Sequence, residues 1–360
     1  MSSEQMLQIL ENCVNEFYDS KTSHERKNYL HLQLNEFLNG VQTWKICLES
    51  LRSIKNPLLT YYLLQTFEQL IKYRWNTNEH ISMDEQILIR DTLIYYLIDS
   101  FSSMVSYIRN KIMSLIVQIA RKDCPRYWPN FFTTILHFIN EKSSLIGLCL
   151  LTTVFEELPL NKEDISIEHY HELIKCLNQQ IPYIIDILKS FLKKLMNILP
   201  THDSNNEKSL DSNSYLILRQ IFLCMDRLFN WLPASLTNNI DLDLLDSIFD
   251  YVRLGLRSTT INEQYMDISL LSMNCIQELL VKQRGTNEFE DKLLKLFEQI
   301  FSLTDTILNQ NNLVQIDERY LTKLTELIRL LFNIHLQRVE INQNFPLCLT
   351  LLYRYTVQQV

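Results

Sequence analysis

Glycine is nearly absent from this chain of 360 residues, which contains only Gly40, Gly147, Gly255 and Gly285. An average protein carries about 7% glycine. Phosphate-binding loops, β-hairpins and parallel sheets use glycine for positive φ angles and for close backbone approach. Such scarcity argues against those folds and favours an all-helical protein.

Positive charge is also in short supply, with 34 Lys and Arg against 42 Asp and Glu and a formal net charge of −8. Proteins whose main partner is a nucleic acid carry the opposite balance, so protein partners are favoured over nucleic acid. No run of about 18 uncharged apolar residues occurs, and we expect no membrane insertion. The eight cysteines form no C-x-x-C pair and mostly stand in apolar runs, as reduced core thiols of an intracellular protein do.

Catalytic signatures are missing as well: the phosphate-loop, dinucleotide, nucleophile-elbow and H-E-x-x-H patterns do not occur. His169 and His171 could hold a metal ion, but residues two apart point to different faces of a helix, so two surface histidines are favoured. Four aspartates could form acid pairs, but near a helix start they fit structural acids at the positive end of the dipole: Asp241, Asp243, Asp246 and Asp250. The sequence predicts a binding protein without a cofactor or metal, and not an enzyme.

Apolar residues recur every three or four positions almost throughout, as in Ile108, Ile112, Leu115 and Ile119. Start and stop signals, such as Asn56-Pro57 and a capping box at 82–85, divide this pattern. The predicted helices span 3–18, 24–39, 41–54, 57–75, 83–100, 103–122, 126–140, 144–158, 167–199, 212–232, 241–256, 261–283, 287–309, 316–340 and a last one from about 346. They predict an all-α fold, a right-handed superhelical solenoid of about seven to eight HEAT-like antiparallel helix pairs.

Residues 174–213 leave four questions open. The apolar spacing of 174–198 suits a coiled coil or a long repeat helix, and the wide apolar face favours the latter. Pro182 predicts a kink or a fresh helix start there. The polar loop 200–213 is either a partner-contacting insert or a tolerated insertion, which we favour. Lys189, Lys193 and Lys194 form a basic stripe that could take an acidic partner but is more typical of a solvated helix face.

Two further features concern packing. The tryptophans stand mostly near helix ends, which favours packing between repeats over base stacking: Trp44, Trp75, Trp128 and Trp231. The last helix, FPLCLTLLYRYTVQQV, has no polar cap, whereas a solenoid needs a terminal repeat with a polar outer face. We therefore expect further repeats downstream of this chain.

One segment carries a family resemblance. An R-N-K helix start is followed by a basic-acidic step, a proline, and an aromatic-rich helix start, and the motif positions are Arg109, Asn110, Lys111, Asp123, Pro125, Trp128, Phe131 and Phe132. This order resembles the exportin-1-like region of the importin-β superfamily, with Cys124 where the family usually has Trp. Segments 24–27, 229–233, 273–279, 316–340 and 345–355 resemble exportins in the same order. The resemblance implies importin-β N-terminal-like repeats over 1–100, an exportin-1-like region over 101–260 with the loop 200–213, and further repeats over 261–360.

The resemblance also implies a function. Exportins bind Ran in its GTP form together with protein cargo, in one branch actin bound to profilin, and shuttle between nucleus and cytoplasm past nucleoporins. The second helices of their N-terminal pairs grip Ran, and here these are 24–39, 57–75 and 103–122. The expected Ran contacts are Lys72, Arg109, Lys111 and Arg121, although Arg109 and Lys111 could instead pair with neighbouring repeats. The alternatives are a general HEAT-repeat scaffold without Ran dependence and, less favoured, a helical enzyme.

Overall fold

A computed structural model describes residues 3–40, 42–75, 81–141, 143–160, 164–199, 210–256, 262–282, 290–309, 316–340 and 345–358. Within these ranges there are fifteen α-helices, two 3-10 helices and no β-strand. The α-helices are α1 Ser3–Tyr18, α2 His24–Asn39, α3 Thr43–Ser50, α4 Pro57–Tyr73, α5 Met83–Ser100, α6 Ser106–Asp123, α7 Phe131–Asn140, α8 Ser144–Glu157, α9 Ile167–Met196, α10 Ser212–Trp231, α11 Leu242–Val252, α12 Glu263–Lys282, α13 Glu290–Asn309, α14 Glu318–Val339 and α15 Phe345–Gln358. The all-α prediction is confirmed.

The helices pack as pairs within two compact units, Met1–Ile174 and Lys175–Val360, whose boundary falls inside α9. In the first unit α1 packs on α2, α3 on α4, α5 on α6 and α7 on α8, while the second members α2, α4, α6 and α8 contact one another in succession. In the second unit α11 pairs with α12 and α13 with α14, and α10, α12 and α14 pack in succession. This is the HEAT arrangement, because each pair buries its apolar stripe against the next. We call the first members A helices and the second members B helices.

Local chemistry sets several of the helix ends. The predicted capping box is present, since the Ser82 side chain accepts from the Glu85 backbone and Glu85 bonds back to Ser82. Asn56 caps α4 ahead of Pro57, and Asp241, the first of the four predicted structural acids, caps α11. The helix predicted at 126–140 is wrong at its start, which lies at Phe131, because a turn precedes it. The 3-10 helix Ala234–Asn239 was not predicted.

The long helix α9 runs continuously through Pro182, so the predicted fresh start there is wrong. Pro182 lies on the exposed side of the helix, where water can reach backbone groups that lose their helical partner. Ile185 and Leu192, which widen the apolar face beyond a two-position seam, are 2% and 0% exposed. A repeat helix is therefore favoured over a coiled coil.

Three other expectations concern thiols, the polar loop and membranes. All eight cysteines are free, and burial raises the pKa of Cys47 to about 12 and of Cys149 to about 11, which keeps these thiols protonated. Residues 200–209 of the polar loop lie outside the described ranges, while Asp211 caps α10. No described helix is both long enough and apolar enough to cross a bilayer.

Candidate functional site

The B helices α4 and α6 present a shared stripe of polar and aromatic side chains, which we call the α4–α6 face. On α4 it consists of Tyr61, Glu68 and Lys72, spaced seven and four residues apart on one side of the helix. On α6 it consists of Tyr107 and Lys111, which are also one turn apart. The rings of Tyr61 and Tyr107 meet edge to face with centroids 5.7 Å apart, so the two helices contribute to one surface.

Lys111, a predicted Ran contact, forms an ion pair across this face. Its Nζ lies 2.6 Å from Glu68 Oε2 and 5.9 Å from the centre of the Tyr61 ring. The two charged side chains are only 13% and 34% exposed, so this pair joins one B helix to the next. The sequence raised pairing with a neighbouring repeat as the alternative for Lys111, and the structure shows this pairing.

Lys72 follows Glu68 by one turn and is exposed. Its Nζ lies 5.1 Å from the centre of the adjacent Tyr73 ring, and Tyr73 is 63% exposed. Among the described residues Lys72 has no carboxylate within ion-pair distance. Of the four predicted Ran contacts, it is the one whose charge is fully available to a partner, and its role stays a prediction.

Arg109 is half-buried and packs within its own repeat. Its guanidinium lies 4.8 Å from the centre of the Phe101 ring, and Nη1 donates to the Phe101 carbonyl at 3.4 Å. These contacts hold the turn between α5 and α6. Asn110, the next motif residue, is exposed on α6.

Arg121 is placed differently from the prediction, since it is 2% exposed. Nε donates to both Asp164 carboxylate oxygens, at 3.1 and 3.0 Å, and Nη1 donates to the Leu158 carbonyl at 2.8 Å. In this conformation the guanidinium has no surface to offer to Ran. The expectation fails because Arg121 lies at the C-terminal end of α6, where α8 and α9 cover it.

The remaining motif residues build the corner after α6. Asp123 is 5% exposed and accepts a hydrogen bond from Trp75 Nε1 at 2.8 Å. Its backbone carbonyl accepts from the amides of Tyr127 and Trp128, at 2.7 and 3.0 Å, which turns the chain through Pro125. The motif aspartate therefore ties the end of α4 to the end of α6.

Aromatic rings fill the inner side of the same corner. Trp128 and Phe131 have centroids 4.8 Å apart, and Phe131 and Phe132 are 5.1 Å apart. The Arg90 guanidinium lies 4.8 Å from the centre of the Trp128 ring. All three rings are at most 6% exposed, so the motif is a packing device that joins successive repeats. Cys124 is fully buried in this corner.

The buried carboxyl of Asp123 gives a prediction for pH. Burial raises its pKa above the ordinary value of 3.8, although the Trp75 hydrogen bond and the charge of Arg90 oppose this. A native pKa above the unfolded one means that the native state takes up the proton first, so this group adds stability as pH falls and loses it as pH rises.

Asp123→Asn keeps an oxygen acceptor for Trp75 but cannot titrate. We expect wild type to gain stability relative to the variant as pH is lowered from 7.5 towards 4.5, measured by urea unfolding at each pH. Trp75→Phe removes the hydrogen bond that lowers the pKa of Asp123, so in this background the gain relative to Asp123→Asn should begin at a higher pH. A wild-type advantage that grows with rising pH would contradict the raised pKa.

The other candidates from the sequence are structural. His169 was expected at the surface with His171, but it is 9% exposed and Nε2 lies 3.0 Å from the Arg121 carbonyl oxygen, while His171 is exposed. The described residues contain no group of His, Cys, Asp and Glu that could hold a metal ion. Trp44, Trp75 and Trp128 are buried, as packing residues are.

In the second unit the basic stripe and the acidic series meet each other. Lys189 bonds to Asp241, and Lys193 Nζ lies 3.3 Å from Asp243 Oδ2, which joins α9 to α11. Asp246 pairs with Lys295 of α13 at 3.1 Å. The charged residues therefore link α9, α11 and α13, and Lys194 is left exposed.

Sequence reasoning missed the tyrosine pair and the partner of Asp123. Tyr61, Glu68 and Lys72 do share one helix face by spacing alone, and that pattern could have been found. The contact of Tyr61 with Tyr107 depends on the register between α4 and α6, which no single-helix pattern contains.

Comparisons with known proteins agree with this architecture. The profile of the family described as Exportin 1-like protein matches residues 105–276, and that of the Importin-beta N-terminal domain matches residues 31–99. The fold is similar to that of the karyopherin Kap121p in its crystal structure bound to the SUMO protease Ulp1p. That match has a TM-score of 0.59 and 16% identity, and covers 96% of this chain and 28% of the other.

Curated relatives extend the likeness to the whole sequence. Exportin-6 of Homo sapiens is 31% identical over 99% of this chain, and Exportin-6-A of Xenopus laevis is 30% identical over 99%. Exportin-6 of Dictyostelium discoideum is 25% identical over 99%. The matches cover 36%, 37% and 35% of these relatives, so the chain spans just over a third of their length. Over 99% of its length the chain is therefore similar to exportins of the importin-β, or karyopherin, superfamily.

Proposed function

We propose that this chain acts in nuclear export, binding Ran in its GTP form and a protein cargo cooperatively. The observation that carries the proposal is the α4–α6 face, a polar and aromatic stripe on successive B helices in a chain similar to exportins over 99% of its length. Its partner surface comprises α2, α4 and α6. Arg121 is left out of it because its guanidinium is buried.

The chemistry of this face suits a protein surface with acidic and apolar groups. Lys72 offers an exposed ammonium, and Tyr61 and Tyr107 offer aromatic area about three helical turns away along α4. Tyrosine is enriched among the residues that dominate binding energy at interfaces. The Glu68–Lys111 pair is already satisfied within the protein, so it positions the tyrosine rings and adds little net charge.

The proposed mechanism is linkage between two binding events and needs no catalysis. If cargo and RanGTP each favour the same curvature of the helix stack, each raises the affinity for the other by the same factor. Small rotations between repeats add up along a solenoid, which makes curvature a variable that two distant ligands can share. Hydrolysis of GTP on Ran then lowers the affinity for both.

We further propose that the cargo is actin bound to profilin, and that the receptor shuttles between nucleus and cytoplasm in contact with nucleoporins. The support for this cargo is the whole-length similarity to Exportin-6 of several animals and of Dictyostelium discoideum. The affinity of the chain for profilin–actin should rise on adding RanGTP, by roughly 5-fold or more. A ratio of one would contradict the coupling.

Nucleotide dependence separates an exportin from a general HEAT scaffold. Ran loaded with a non-hydrolysable GTP analogue and Ran loaded with GDP are each titrated against the immobilised chain. We expect binding of the GTP form at least tenfold tighter than that of the GDP form. Equal affinity for the two forms would contradict Ran dependence of this chain and favour the plain scaffold. The same conclusion would follow if neither form bound at 100-fold the concentration that saturates full-length Exportin-6 of Homo sapiens.

Lys72→Glu tests the face at one residue. Lys72 is exposed, but it lies in the last turn of α4 and one turn after Glu68, so reversal should cost up to about 1 kcal/mol of unfolding free energy. Affinity for RanGTP should fall about fivefold to tenfold, measured by the same titration. Lys55→Glu, an exposed lysine just before the other end of α4, is the matched control with the same net charge. Equal losses for the two variants would mean that the effect is a general one of charge.

A further inference from the structure

A cavity of about 580 Å³ lies where the end of α6 meets the starts of α5 and α9. All of its lining residues belong to the first unit, and none of them belongs to the α4–α6 face. The residues that matter for its chemistry are three polar ones and three with apolar surface: Lys122, Asp123, His169, Met83, Tyr127 and Ile165.

Lys122 brings an ammonium without a counter-charge to this cavity. The residue is half-buried, and in the described part of the chain no carboxylate lies within ion-pair distance of it. Burial lowers the pKa of Lys122, and the more distant charges of Asp164 and Asp123 offset this only in part. A half-buried charge without a partner costs free energy, so a native protein normally pairs it.

The other charged side chains around the cavity are already engaged. Asp164 accepts two hydrogen bonds from Arg121, and Glu172 accepts two from Arg126. Asp123 accepts a hydrogen bond from an indole. Among the described lining residues, the half-buried ammonium is therefore the positive charge left to an outside group.

This balance of charge selects the kind of anion that fits. A phosphate monoester carries a charge of about −1.5 to −2 at neutral pH, and the carboxylates of Asp123 and Asp164 would repel it. A carboxylate carries a single negative charge, which matches the one ammonium, and a hydrogen bond between two charged groups is among the stronger ones.

Apolar surface adjoins the ammonium. Met83 is 47% exposed, Tyr127 is 57% exposed and Ile165 is half-buried. Methionine adapts its shape to a partner, and tyrosine is enriched among residues that dominate binding energy. The cavity therefore suits a ligand that carries an apolar group next to its carboxylate, and its volume is typical of ligand pockets, which hold about 300–1,000 Å³.

We propose that this cavity binds a protein segment in which an acidic side chain stands beside an apolar one. The carboxylate pairs with the Lys122 ammonium, and the apolar side chain packs on Met83 and Tyr127. Since the residues involved differ from those of the α4–α6 face, this binding does not depend on Ran.

Two peptides that differ in one functional group test the carboxylate: Ac-Ala-Leu-Glu-Leu-Ala-NH2 and its glutamine counterpart. Each is titrated against the ¹⁵N-labelled chain, and the indole signal of Trp75, which lines the cavity, is followed. Trp75→Phe assigns that signal, and Trp231 of the second unit is the internal reference. We expect the glutamate peptide to bind saturably and at least fivefold more tightly than the glutamine peptide.

Three outcomes would overturn the proposal. Equal affinity for the two peptides would rule out recognition of the carboxylate. No shift of the Trp75 signal with either peptide would rule out the cavity as a peptide site. Tighter binding of the corresponding phosphoserine peptide would mean that the site selects a phosphate and not a carboxylate.

A pair of lysine variants assigns the preference to one ammonium. Lys122→Met removes the charge, keeps most of the side-chain stem and should fold, because an unpaired half-buried charge is lost. The two peptides should then bind with equal affinity. Lys55→Met makes the same change in net charge at an exposed lysine outside the cavity and should keep the full preference. Equal losses in the two variants would overturn the assignment, and the absence of Ran from these titrations keeps the result separate from that of the proposed function.

Discussion

Gly147→Ala is expected to destabilise the first unit by about 2 kcal/mol, although alanine is the better helix former. A Cβ at this position of α8 would lie 2.6 Å from Ile139 Cγ1, 2.8 Å from the Ile139 backbone nitrogen and 3.2 Å from the Ile135 carbonyl oxygen. Backbone atoms cannot rotate away as a side chain does, so α7 and α8 must move apart. Overpacking typically costs about 1–3 kcal/mol, and the backbone contacts place this case at the upper end, so about 2 kcal/mol remains after the gain of about 1 kcal/mol from helix propensity.

Tryptophan fluorescence can follow this unit alone. Trp44, Trp75 and Trp128 lie in Met1–Ile174, and only Trp231 lies in the second unit. Urea unfolding in a Trp231→Phe background therefore reports the stability of the first unit. Ile139→Ala removes the Cγ1 contact and leaves the backbone contacts. In this background Gly147→Ala should therefore lower the unfolding free energy by less than it does in wild type, but still by a measurable amount. A Gly147→Ala variant as stable as wild type would contradict the close approach of α7 and α8.

Asp164→Ala should cost about 2–3 kcal/mol, because it strips a buried cation of its counter-charge. The Arg121 side chain is 3% exposed, and Asp164 is 31% exposed. Breaking a buried ion pair from one side typically costs about 3–5 kcal/mol, and the partial exposure of Asp164 lowers this figure through solvent screening. Among the described residues Arg121 Nη2 has no hydrogen-bond partner even in wild type. Loss of Asp164 would therefore leave the guanidinium with the Leu158 carbonyl as its hydrogen-bond acceptor.

The same repeat offers a matched control. Arg126 and Glu172 form a two-point ion pair with distances of 2.9 and 3.0 Å, but their side chains are 55% and 46% exposed. Glu172→Ala should therefore cost much less than Asp164→Ala, because solvent screens an exposed pair. Asp164→Ala combined with Arg121→Met removes both charges and should recover part of the loss. Equal costs for Asp164→Ala and Glu172→Ala would contradict the structural role assigned to Arg121.

Much of the helix pattern could be predicted from local signals. Where a cap and an apolar stripe coincide, as at Ser82 and Asn56, the helix start was predicted to the residue. The start of α7 was not, because the turn before it depends on hydrogen bonds to the Asp123 carbonyl from Tyr127 and Trp128. Such bonds form only when the end of α6 is already in place.

The candidate site was predicted less completely, for a physical reason. The spacing of residues in the sequence indicates which of them share a helix face. Whether they are buried depends on which residues of the next repeat pack on that face. Arg121 and Lys72 both stand near the C-terminal end of a B helix, yet Arg121 is covered and Lys72 is open. Likewise the counter-charge of Lys111 is Glu68 on α4, 43 residues away in the sequence, and no pattern within α6 indicates this pair.

The central claim is that RanGTP binds the chain on its B helices, and hydrogen–deuterium exchange tests this most directly. Exchange is compared for the chain alone, with RanGTP and with RanGDP, in peptides from α2, α4 and α6 and from α1, α3 and α5. The account predicts slower exchange in the B-helix peptides with RanGTP only. Protection confined to the A helices, or equal protection by RanGDP, would contradict it.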